Sequence, residues 1–159
     1  MCHYCGCREI PLIKDFIAEH ESATNLAGGI IHALDHALDH EQAHTVRPQL
    51  ETLARELASH WRGEETGLFA VMRGNPEFTD YIGQLEAEHR ELAELMATVD
   101  LTLSGDRTEL AAALGALHQH IAKEEDGLFP ASLIALTAED WDRSMAAWRA
   151  AHAGRAPAP

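Results

Sequence analysis

Apolar residues return every three or four positions along four stretches of this chain, the repeat of a helix that buries one face. The first stripe reads Ile13, Phe16, Ile17, Ala23, Ala27, Ile31, Leu34 and Leu38, with Pro11 where a helix can begin. Gly28-Gly29 is placed to bend this helix without ending it, because the stripe resumes in phase at Ile31. At about 100° per residue, His20 falls near the centre of the stripe while Glu19 and Glu21 point away. A second helix is expected from Thr45 as cap and Pro48 in the first turn, with a buried face of Leu53, Leu57, His60, Glu64, Leu68 and Val71. Gly74-Asn75-Pro76 closes it and opens a third, whose stripe is Phe78, Ile82, Leu85, His89, Leu92, Met96, Val99 and Leu103. Ser104-Gly105-Asp106 marks a turn, Thr108 is the expected cap of a fourth helix, and its face reads Ala113, Leu117, His120, Glu124, Leu128 and Ala131. Pro130 is expected to kink or interrupt that helix near its end. Thr137 to Asp140 then reads as a capping box ahead of a short helix, with Trp141, Met145 and Trp148 on the side that docks on the bundle or on a partner.

Four helices of roughly twenty to thirty residues joined by short turns predict an all-α fold, an antiparallel four-helix bundle with a short C-terminal helix. The expected layout is a cysteine-containing arm over residues 1–9, the bundle over 10–136, an amphipathic helix over 137–153 and a flexible tail over 154–159.

Helices two and four carry the same device. His60, Glu64, Glu65, Gly67, Leu68 and Phe69 recur sixty positions later as His120, Glu124, Glu125, Gly127, Leu128 and Phe129. Positions four apart share a helix face, so each copy aims an imidazole and a carboxylate at one point. That pairing suits a transition metal with nitrogen and oxygen ligands, and two copies suggest two metals. The polar members of the core stripes are His20, His60, Glu64, His89, His120 and Glu124, at least one from each helix. Two buried carboxylates require compensating positive charge, which metal supplies.

Composition narrows the partners. At 159 residues the chain suits one domain, and 12 Lys and Arg against 26 Asp and Glu give a net charge of −14 without a basic cluster. Nucleic acid and anionic membrane are therefore poor partners. Protonating all 11 histidines would bring the charge to about −3. No continuous apolar run approaches a membrane span and no signal-peptide layout opens the chain, so the expected location is cytoplasmic.

The EH pairs at Glu19-His20 and Glu88-His89, with HxxxEE followed by LF on helices two and four, resemble the hemerythrin-like, or HHE cation-binding, family from about Ile10 to Leu136. The resemblance implies a four-helix bundle holding two iron ions as an oxo- or hydroxo-bridged non-haem di-iron centre. Carried over, His20, His60, His89 and His120 are terminal nitrogen ligands and Glu64 and Glu124 bridge the irons. Glu65 and Glu125 are fallback ligands or lie just outside the ligand set. Oxygen carriers of the family place a second histidine in HxxxH on the third helix, whereas this chain has Ala93 after His89 and Leu85 before it. Six protein ligands leave positions open to water or substrate, which favours reaction over carriage. Ferritin-like di-iron proteins differ in being carboxylate-rich with Glu-x-x-His spacing.

The expected ligand is thus a small oxidant or gas, hydrogen peroxide, nitric oxide or dioxygen, with catalase-like peroxide turnover the favoured activity. No catalytic residue separate from the metal ligands stands out. A sensor that binds gas without turnover, or an iron store or donor in iron–sulfur repair, are the alternatives. Cys2, Cys5 and Cys7, with His3, offer a local metal site, a redox disulfide, a thiol shuttle or an unstructured arm. The row His32, His36, His40 and His44 reads as a solvated helix face or a surface metal-loading site, and His118 as structural. The C-terminal helix and the cysteine arm are the candidate faces for a homodimer or protein partner.

Overall fold

The computed structural model describes residues 6–36 and 45–153, and every regular element among them is helical. A single 3-10 turn, Cys7–Glu9, precedes α1 (Ile13–His36), and α2 (Arg47–Gly63), α3 (Phe69–Met72), α4 (Pro76–Thr98), α5 (Ser104–Lys123), α6 (Phe129–Ala135) and α7 (Ala138–Ala151) follow. Two π turns, Glu64–Leu68 and Glu124–Leu128, join α2 to α3 and α5 to α6 through continuously helical backbone. Each pair therefore forms one rod, and the two rods with α1 and α4 make a four-helix bundle. α1 packs on α2 and α5, α4 packs on the same two helices, and α7 lies against α2 and the π turn that follows it. Arg47, opening α2, donates to the Val99 carbonyl beyond the end of α4 at 2.9 Å, as antiparallel neighbours allow.

The π turns displace the expected stripes by one residue. A π turn holds one residue more than an α turn. Beyond it Phe69 and Met72 are buried with Leu68, and Val71, the expected member, is only half-buried. In the second rod Phe129 and Ser132 are buried, and Ala131 is half-buried. Pro130 does not interrupt its helix, because it stands in the first turn of α6, immediately after the switch in hydrogen-bond register.

Helix boundaries follow local chemistry more closely than propensity suggested. Asn75 caps α4 by accepting from the Glu77 amide, and Thr137 with Asp140 forms a full capping box on α7. Thr45 is not the cap of α2, which starts from Val46 without a side-chain cap. Thr108 lies inside α5, its hydroxyl on the Ser104 carbonyl, because Ser104-Gly105-Asp106 is already helical. There the Asp106 carboxylate accepts from the Asp100 amide and draws the connection tight. Leu103 is therefore exposed and Leu101 takes its place in the core. Likewise Ile30 is fully buried where Ile31 was expected.

Two apolar clusters fill the bundle. One gathers Ala23, Ile30, Leu53, Leu57, Met96, Leu114 and Leu117; the other gathers Leu12, Phe16, Leu68, Phe69, Leu85, Leu128 and Phe129. Every helix of the bundle changes from one cluster to the other at a histidine: His20, His60, His89 or His120.

Candidate metal centre

At that boundary the four imidazoles meet in two pairs. His20 Nε2 lies 3.1 Å from His60 Nε2, and His89 Nε2 lies 2.9 Å from His120 Nε2. The outer nitrogen of every ring faces a carboxylate: His20 Nδ1 is 3.1 Å from Glu125, His60 Nδ1 2.9 Å from Glu19, His89 Nδ1 2.9 Å from Glu65, and His120 Nδ1 2.7 Å from Glu88. A carboxylate only accepts, so each Nδ1 carries the hydrogen and each neutral ring keeps a lone pair at Nε2. Two lone pairs aimed at each other at 3 Å require a proton or a cation between them.

Glu64 and Glu124 complete the interior. Both are fully buried, and none of their four oxygens has a hydrogen-bond partner. Glu64 puts one oxygen 3.3 Å from His60 Nε2 and the other 3.7 Å from His89 Nε2. Glu124 puts one 3.2 Å from His120 Nε2 and the other 3.2 Å from His20 Nε2. Each carboxylate thus reaches both histidine pairs, as a bridging ligand must. The combinations His20, His60, Glu64, Glu124 and His89, His120, Glu124 each gather ligand atoms within 4.8 Å of one another. Four imidazole nitrogens with two carboxylates and no thiolate suit a first-row transition metal better than calcium or magnesium.

Without metal, protons hold the cage. Burial opposes charge on every ring, but the Glu64 and Glu19 carboxylates outweigh it and raise His60 to about 10. Burial is likewise overcome at His89, which Glu124 and Glu65 raise to about 9, and at His20 and His120, which also rise. Burial would raise Glu124, yet the imidazoles around it hold it well below the ordinary carboxylate range.

The repeated sequence has a repeated geometry. Phe129 stacks on His20 at 5.8 Å and Phe69 on His89 at 5.8 Å, so the LF of each motif supports the histidine of the opposite hairpin. Glu125 and Glu65 make the same crossing, placing both outside the cage as acceptors for Nδ1. The shared glycines admit close neighbours: a Cβ on Gly67 would lie 3.0 Å from the Ser144 carbonyl, and one on Gly127 would meet the Tyr81 hydroxyl at 2.6 Å. That hydroxyl donates to the Lys123 carbonyl at 2.7 Å, at the start of the π turn.

A model of the hemerythrin HHE cation-binding domain matches residues 12–132. The chain belongs to the hemerythrin HHE cation-binding family. No curated protein and no solved structure matches it. The family is described by cation binding, and the geometry of this chain offers histidine pairs with carboxylates between them that could hold a metal ion.

Sequence reasoning missed Glu19 and Glu88. Glu19 was expected to point away from His20, and it does so by turning to His60 rather than to solvent. Its position before a histidine, repeated at Glu88-His89, was the available signal. Trp148 was expected only to pack, yet its indole N–H donates to Glu19 at 3.3 Å. Ala93, one turn beyond His89, is exposed and lines a separate surface cavity; Trp61 lines both that cavity and the one at His89, and stacks on His89 at 4.8 Å. Leu92, not Ala93, is the neighbour that faces the centre's cavity.

Cys7 is half-buried in the 3-10 turn and His32 is exposed on α1, while Cys2, Cys5, His40, His44 and the tail lie outside the described residues. His118 is exposed. Among the described residues, no helix is long and apolar enough to cross a membrane.

Proposed function

We propose that the cage holds two iron ions and acts on small oxidants, with hydrogen peroxide the favoured substrate and nitric oxide and dioxygen as further ligands. The observation that carries this reading is the pair of Nε2–Nε2 approaches, 3.1 and 2.9 Å, with two partnerless buried carboxylates spanning them. His20 and His60 would hold one ion and His89 and His120 the other, with Glu64 and Glu124 shared. Bound there, iron would supply the redox chemistry toward the oxidant.

The protein's own contribution is orientation, access and dryness. The four outer carboxylates fix the tautomer of each imidazole and make its Nε2 a better donor. Phe129 stacks on His20, Phe69 and Trp61 stack on His89, and Phe16 meets His60 edge-on, an apolar cover that keeps bulk water from these rings. A cavity of about 610 Å³ between α4 and α5 reaches His89 and His120, and its apolar wall of Trp61, Leu92, Leu95 and Leu117 admits a small neutral oxidant. At its rim Glu88 accepts from His120 Nδ1 and from Lys123 Nζ, so its carboxylate is tied at both oxygens. That tie leaves little scope for Glu88 as a general base, and it favours gas binding without turnover as the second reading.

The experiment is oxygen evolution from peroxide by iron-loaded protein, alongside the absorption spectrum before and after addition. The reading expects catalytic oxygen release that falls when Leu92→Trp fills the cavity. A loaded protein that evolves no oxygen and forms a long-lived reversible dioxygen or nitric oxide adduct would put binding in place of turnover.

A further inference from the structure

The two halves of the cage match in ligand chemistry but differ in what covers them. Around His20 and His60 the outer acids Glu19 and Glu125 expose 19 % and 14 % of their side chains. Around His89 and His120 the corresponding acids Glu65 and Glu88 expose 37 % and 34 %, and the cavity lined by both histidines opens on this half.

The cover comes from both ends of the described chain, outside residues 12–132 of the family match. On α7, Trp148 Nε1 donates to Glu19 Oε2 at 3.3 Å, and just beyond it His152, whose Nδ1 donates to the Trp148 carbonyl at 2.7 Å, brings its Nε2 to 2.7 Å from Glu19 Oε1. Glu19 Oε2 is in turn the acceptor for His60 Nδ1. Gly63 makes room for Trp148, since a Cβ there would lie 3.1 Å from the indole, and Ser59 anchors the helix end by donating to the Ala151 carbonyl. Before α1, Arg8 donates to Glu125 Oε2 at 2.9 Å, and Glu125 holds His20 Nδ1. The other half has a looser substitute, because Glu88 is met by Lys123, whose side chain is 44 % exposed.

We infer that Arg8, Trp148 and His152 are positioning residues that lock one metal position, the one at His20 and His60, and leave the position at His89 and His120 as the exchangeable one. The inference rests on the two-metal reading above. A carboxylate held from behind keeps its imidazole aimed, and loss of such an outer partner typically weakens metal binding about 10- to 100-fold. The locked position retains its ion while the other exchanges with solvent through the cavity.

The test is iron release. Full-length protein loaded with two equivalents of ferrous iron is mixed anaerobically with excess chromogenic chelator, and release is followed by absorbance. The inference expects two phases of one iron each. Combining Trp148→Phe with His152→Ala should speed the slow phase about tenfold or more and leave the fast phase unchanged. His152→Gln in the same background, which offers Glu19 an amide N–H, should restore most of the difference, and Lys123→Met should alter only the fast phase. Trp148→Phe alone keeps the ring packing and serves if the double change undocks α7. Two phases that the α7 changes leave alone, or speed equally, overturn the inference. Wild-type protein that holds fewer than two irons overturns the two-metal reading itself, a separate and recognisable outcome.

Discussion

His89 and His120 face each other Nε2 to Nε2 at 2.9 Å while each gives the hydrogen on its Nδ1 to a carboxylate. A neutral pair in that posture repels, so the fold has built a place where positive charge must sit. The same holds at His20 and His60.

Removing metal should therefore loosen the bundle. Glu64 and Glu124 remain buried with only protonated imidazoles for compensation, and metal affinity adds to folding stability by linkage. Chelated protein should melt well below loaded protein in calorimetry. Equal melting temperatures would show that the cage stands without its ions.

The chelated form should also weaken in alkali. His60 and His89 are raised to about 10 and about 9, against about 6.5 in an unfolded chain. Their contribution is present in full below about 6.5 and is lost as pH rises through about 9 to 10. Melting temperatures of chelated protein at pH 6, 8 and 10 should fall across the last step more than those of loaded protein. A chelated form as stable at pH 10 as at pH 8 would contradict the assignment of protons to these rings.

Glu65→Gln and Glu124→Gln separate the outer acids from the inner ones. Replacing the charged acceptor at His89 Nδ1 with a neutral amide oxygen should weaken metal binding about 10- to 100-fold and leave the fold intact. Loss of the carboxylate that spans both histidine pairs should remove the paired centre. Metal titration of the two variants checks the difference, and similar affinities would show that Glu124 is not shared.

Gly67→Val tests how α7 is seated. Even a Cβ at this position lies 3.0 Å from the Ser144 backbone oxygen and 3.2 Å from Ala147, so α7 must shift. Overpacking of this kind costs about 1–3 kcal/mol. Tryptophan fluorescence should change and the melting temperature should fall, whereas Gly83→Val, with open space around it, should leave the fluorescence unchanged and not lower the melting temperature.

Ala93→His should leave metal content and spectrum as they are. The position is one turn from His89 in sequence terms, but it is exposed beside another cavity, and Trp61 borders both. A new ligand signature in this variant would mean that Trp61 moves aside.

Much of this was legible because helical spacing and a sixty-residue repeat act locally. The stripes placed His20, His60, Glu64, His89, His120 and Glu124 on core-facing positions, and all six are buried. What the stripes could not show was the extra residue in each π turn, which moved burial from Val71 to Met72 and from Ala131 to Ser132. A pattern counted at 3.6 residues per turn has no means of registering that change. Glu19 and Glu88 were hidden for a different reason. Their partners lie on another helix, and a side chain that leaves its own stripe looks like a solvent-facing acid until the neighbouring helix is in place.

The most direct measurement is metal stoichiometry after iron-replete expression, by elemental analysis together with the near-ultraviolet spectrum. The account predicts about two irons per chain with ferric charge-transfer absorption, and loss of both in Glu64→Ala combined with Glu124→Ala. Stoichiometric zinc without iron, or a single iron that survives the loss of both carboxylates, would contradict it.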